Sequence, residues 1–171
     1  MAATQQLEDL VGTLEQSVGS GLTYFEGPGS TSKVKLGRYG PREILCQMVW
    51  WHQVTLEGLE SVASGGAPYR IYASVDEMNA RAVGRFAAKN LQQLLAMGRE
   101  AHTKLVKAAQ ACSDPSAVIL VMGDGQGRSL QQRLEVIAPH WQEQVKALQT
   151  GVEDTGPAHK FGYAAQNPGQ R

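Results

Sequence analysis

His140 and Gln144 stand four residues apart in the run Ile137-Ala138-Pro139-His140-Trp141-Gln142-Glu143-Gln144, so on a helix an imidazole and a carboxamide share one face. Side chains at that spacing come within about 5–6 Å at Cβ, close enough for a His-x-x-x-His pair to hold one metal ion. Here the second position is glutamine, whose oxygen is a weak donor to zinc or nickel. A bound ion is therefore disfavoured, and proton transfer becomes the chemistry of interest. Imidazole is the side chain that ordinarily titrates nearest neutrality, which makes His140 the candidate general base toward water or a substrate hydroxyl. The opposing reading, a hydrogen-bonded residue left in a relic site, stays open. His52 lies in the apolar stripe Leu45, Met48, His52, Leu56, Leu59 and reads as a buried core histidine. Of the three tryptophans Trp50, Trp51 and Trp141, one is expected in the core and two along an apolar cleft able to stack a planar ligand.

The elements that must hold these residues have a helical period almost throughout. Leu7, Leu10, Val11, Leu14 and Val18 mark a first helix, with Thr4 as N-cap and an end near residues 19–21. Residues 27–40 carry Pro28 and four glycines and read as a long connector of the kind that borders sites. A second helix opens at Gly40-Pro41, with proline at the first helical position, and ends near Ala63 before Gly65-Gly66. Ser74-Val75-Asp76-Glu77 is a capping box that starts a third element reaching about Cys112. Unbroken, it would span roughly 57 Å, so a break is expected near Gly84, whereas Gly98 reads as merely tolerated. Ser129-Leu130-Gln131-Gln132 caps a fourth helix with the stripe Leu130, Leu134, Ile137, Trp141, Val145, Leu148, interrupted and bent at Pro139.

Val118-Ile119-Leu120-Val121-Met122, followed by Gly123-Asp124-Gly125-Gln126-Gly127 and a capped helix, has the outline of a phosphate-cradling loop. It matches neither dinucleotide nor P-loop spacing, and no second strand is evident for a parallel sheet, so an extended connector packed over the helices is expected instead.

The chain has 171 residues, 42% of them hydrophobic, enough for one domain with a real core. Lys plus Arg and Asp plus Glu number 16 each, so no overall field draws it to nucleic acid or an anionic membrane. Without a membrane-length apolar run or a signal-like N-terminus, a cytoplasmic location is expected, with Cys46 and Cys112 as reduced packing thiols. Residues 151–171 hold four glycines and two prolines and read as an extended tail, with Phe161 and Tyr163 as anchors and His159 in solvent.

Four features over roughly residues 4–150 resemble the DinB-like superfamily. They are the helix order, Gln47-x-x-x-Trp51, Val75-Asp76-Glu77-Met78-Asn79-Ala80 opening the third helix, and Pro139-His140-Trp141-x-Glu143-Gln144. The resemblance implies an all-α four-helix bundle over residues 1–150 followed by the tail. Matched position by position, it puts the family's three histidine ligands at Gln47, His140 and Gln144, a degenerate metal site. It further implies a small-molecule enzyme, hydrolase or thiol-dependent transferase, or a resistance or detoxification protein acting in an inter-helix cleft. His140, Gln144 and Gln47 are then the catalytic candidates, and Trp51, His52, Asn79 and Trp141 the ligand-binding ones. Any metal retained would be held by His140 with His52, although His52 lies about 140° around the helix from Gln47. A non-catalytic ligand-binding bundle, or one that pairs with a second copy as a homodimer, remains the alternative.

Overall fold

The computed structural model describes residues 2–151, with side chains from Thr4 onward. The tail, with His159, Phe161 and Tyr163, lies outside the described residues. The architecture is mostly helical, with a small sheet: α1 (Ala2–Glu26), α2 (Pro41–Ala63), β1 (Tyr69–Arg70), α3 (Val75–Arg85), α4 (Leu91–Gln110), β2 (Val118–Val121), β3 (Gly127–Ser129) and α5 (Leu130–Thr150). The long helices α1, α2, α4 and α5 pack on one another, α3 lies against α2, and β1 and β2 cover another part of α2.

α1 forms because Leu7, Val11, Leu14, Val18, Leu22 and Phe25 repeat every three or four residues and are buried. It neither starts at Thr4, which lies inside the helix, nor ends near residue 21. Gly21 is a packing residue, because the ring of Trp141 on α5 comes within 2.4 Å of where a Cβ would stand. α2 keeps the expected bounds. At its start Glu43 accepts a hydrogen bond from the Gly40 N–H at 3.1 Å, and Pro41 occupies the first helical position.

The third element breaks beside Gly84, as expected, and is two helices. α3 starts as read, with Ser74 Oγ accepting from the Glu77 N–H at 3.2 Å, but the Glu77 carboxylate pairs with Arg81 instead of closing the box. It ends after Arg85, and Asn90 caps α4 in a complete box with Gln93. Arg42 stabilises the break, its guanidinium donating to the carbonyls of Phe86 at 2.7 Å, Ala87 at 3.2 Å and Lys89 at 2.6 Å in the connection that follows α3. Gly98 is also a packing residue, since a Cβ there would stand 3.3 Å from Val49 and 3.4 Å from Leu22.

Two further expectations are overturned. Residues 118–121 are a true strand, flanked by parallel β1 and antiparallel β3, so a second parallel strand does exist and the fold is not purely α. The glycine loop turns the β2–β3 hairpin: Gly125 N–H donates to Met122 O, Met122 N–H to Gln126 O, and Gln126 N–H to Asp124 Oδ1. Two of the amides a phosphate would need, those of Gly125 and Gln126, are thus already used. α5 is also continuous through Pro139, which removes one N–H donor without interrupting the helix.

Candidate functional site

Gln47, Trp51 and Thr55 recur every four residues on α2, a spacing that puts them on one helix face, and all three are buried. The indole of Trp51 is held from two sides. Its Nε1–H donates to Asn79 Oδ1 on α3 at 2.8 Å, and the Arg133 guanidinium of α5 lies over its ring, 5.3 Å from the centroid. Arg133 also donates through Nε and Nη2 to Thr55 Oγ1, at 3.3 and 3.2 Å, while the threonine hydroxyl donates to the Trp51 carbonyl at 2.8 Å. The result is a polar line, Asn79–Trp51–Arg133–Thr55, through the apolar interior where α2, α3 and α5 meet.

Arg133 is only 2% exposed. A guanidinium stays charged in any protein setting, so here it supplies a fixed positive charge braced by a cation–π contact and a hydroxyl acceptor. Sequence reasoning missed it. The signal was its place three residues after Leu130 and four before Ile137, inside the apolar stripe where a charge needs a partner.

The predicted residues fall into three groups. Trp51 and Asn79 are brought into direct contact. Gln47 and His140 are buried on α2 and α5, helices that pack on each other, with Gln144 half-buried one turn after His140. Gln47 Nε2 is enclosed without a hydrogen-bond partner. His52 is turned elsewhere: its ring lies 5.7 Å from that of Trp141 and 5.9 Å from that of His102 on α4, a residue the sequence reading passed over. His52 is therefore the core histidine expected. The expectation of an open cleft lined by two tryptophans does not hold, because Trp50, Trp51 and Trp141 are all buried; Trp50 and Trp51 meet edge to face at 4.8 Å.

No protein family, curated protein or solved structure matches the chain. Among the described residues no three His, Cys, Asp or Glu side chains cluster as metal ligands. Cys46 is buried, and burial pushes its thiol up to about 11 against the opposing pull of Arg42, so it is a packing thiol and not a nucleophile. What remains is a fixed cation, a carboxamide on an indole, and a buried imidazole two turns further along α5. Those are the parts that orient a nucleophile and stabilise developing negative charge.

Proposed function

We propose that the chain is a small-molecule enzyme or resistance protein of the DinB-like type, acting where α2, α3 and α5 meet and without a full three-histidine metal site. The observation that carries this reading is the buried Arg133, fixed against Trp51 and Thr55 in an otherwise apolar interior. Burying a charge is costly, which makes a buried and braced guanidinium a candidate functional group. In this reading His140 takes the proton of a thiol or hydroxyl nucleophile, Arg133 stabilises the negative charge that develops on the substrate, and Asn79 fixes the indole that braces Arg133.

A second reading, a ligand-binding or dimerising bundle without catalysis, is supported by the burial of His140 and of all three tryptophans. Turnover separates the two. The purified chain is offered a thiol panel with 1-chloro-2,4-dinitrobenzene, and a panel of activated esters, and product is followed for wild type, His140→Ala and Arg133→Met. Turnover lost in both variants, each checked to be folded, supports the enzyme. Equal rates in all three proteins overturn it, and a ligand-induced rise in unfolding midpoint without turnover selects the binding bundle.

A further inference from the structure

We propose that the connector between α1 and α2 forms a binding site for a small phosphate monoester, held by Lys33 and Lys35. The run 32–35, the turn at Pro28–Ser30, the first residues of α2 and Leu91 at the start of α4 line a cavity of about 310 Å³. That is the lower end of the size range of small-molecule pockets. Alternate side chains of an extended run share a face. Here Val34 packs against the core and Leu36 is buried, whereas Lys33 and Lys35 are exposed and both line the cavity. The end of the run is pinned: Leu36 and Tyr39 exchange backbone hydrogen bonds at 2.8 and 3.1 Å around Gly37, whose φ of 59° suits glycine.

The charges lining the cavity do not cancel. Glu43 is the acid among them, and it is already engaged, accepting from the Gly40 N–H at 3.1 Å and facing Arg42 Nη1 at 3.5 Å. Arg42 offsets that carboxylate, and its other nitrogens donate to the carbonyls of Phe86, Ala87 and Lys89, so it presents no open fork to a planar carboxylate. Lys33 and Lys35 meet no carboxylate among the described residues, which leaves two ammoniums unbalanced. Two point charges suit a dianion, and a phosphate monoester carries about −1.5 to −2 at neutral pH. Ser32 Oγ accepts from the Val34 N–H at 3.2 Å, so its own proton is left to donate to a phosphate oxygen. The start of α2 adds little, since Pro41 has no N–H and that of Gly40 is spent on Glu43. Val34, Pro41 and Leu91 supply an apolar wall for the carbon body of the ester.

At 1.5 Å per residue Pro41 stands roughly 15 Å along α2 from Trp51, so the site does not depend on what the polar line does. The test is calorimetric titration of the full chain with phenyl phosphate, with benzoate and with phosphatidic-acid vesicles. It compares wild type, Lys33→Gln/Lys35→Gln and, as a matched loss of two exposed charges on α4, Lys104→Gln/Lys107→Gln. The expected result is saturable binding of phenyl phosphate by wild type and the α4 variant, and benzoate binding more weakly. In Lys33→Gln/Lys35→Gln the phenyl phosphate affinity falls by about tenfold or more, the scale of one lost charge-assisted hydrogen bond. Lys33 and Lys35 are exposed and bond nothing else in the fold, so that variant keeps the wild-type unfolding midpoint. Absent binding, equal affinity in wild type and Lys33→Gln/Lys35→Gln, or the same loss in both double variants overturns the site. Benzoate bound as tightly as phenyl phosphate overturns the phosphate assignment, and binding confined to the vesicles overturns a small-molecule pocket.

Discussion

A buried side chain is judged by what its loss leaves behind, and two residues here give opposite lessons about reading that from sequence. Asn79→Leu removes the acceptor of the Trp51 indole N–H, bonded at 2.8 Å, and leaves a buried donor unsatisfied. The expected cost is about 1–3 kcal/mol by urea unfolding, and Trp51→Phe should cost less in the Asn79→Leu background than in the wild type, because it then also removes a stranded donor. His140 was legible as a chemical residue from its spacing to Gln144, yet that spacing suggested a cleft, where His140→Ala would cost little stability. At 7% exposure the same change is now expected to cost on the order of 1–3 kcal/mol, read from the unfolding midpoint. An unchanged midpoint would return His140 to an open site. Arg133 was missed for the reverse reason: its place in the apolar stripe was a signal, but a charged residue there is readily taken as a solvated flank until its contacts with Trp51 and Thr55 show it turned inward.

At the scale of elements, helix starts were the most legible features, because caps are local chemistry. Ser74, Ser129 and Pro41 each begin a helix where their side chains predict, and the Asn90-x-x-Gln93 box that begins α4 was there to be read as well. The ends of α2 and α3 were legible from Gly65-Gly66 and Gly84, whereas the end of α1 and the contacts between elements were not, because they depend on partners distant in the chain. Gly21 looked like a stop and is a seat for Trp141; β1 is two residues long and exists only because β2 lies alongside it. Gly58 makes the same point on α2, where the Ile119 carbonyl of β2 lies 2.1 Å from the position a Cβ would take. Gly58→Ala therefore forces β2 away from α2 and is expected to destabilise by about 1–3 kcal/mol or more. Gly12→Ala is the matched control: it sits on the exposed side of α1 with nothing within 4 Å of a Cβ, so it should stabilise by about 0.5–1 kcal/mol through helix propensity alone. If the two substitutions shift the denaturation midpoint in the same direction, the close approach of α2 to the sheet is wrong.

For the molecule as a whole, the question is whether any ion belongs to the fold. Charge is balanced at 16 against 16, so no strong net field organises the helices, and among the described residues no helix is long and apolar enough to cross a membrane. Their packing rests on the apolar interior, with the polar line and the paired imidazoles set inside it. A transition metal would need several good donors, and the positions singled out for it carry Gln47, His140 and Gln144, two carboxamides and one imidazole. Recruiting His52 to join His140 would pull its ring out of contact with His102 and Trp141, exchanging core packing for one bond. The expected outcome is that elemental analysis after mild purification finds no stoichiometric zinc, nickel or iron, and that added zinc leaves the unfolding midpoint where it was. An ion held at a hundred times its dissociation constant would raise stability by about 2.7 kcal/mol, a shift easily seen in urea. A shift of that size, abolished by His140→Ala but not by His102→Gln, would put a metal back at the centre of this fold and make proton transfer by His140 untenable.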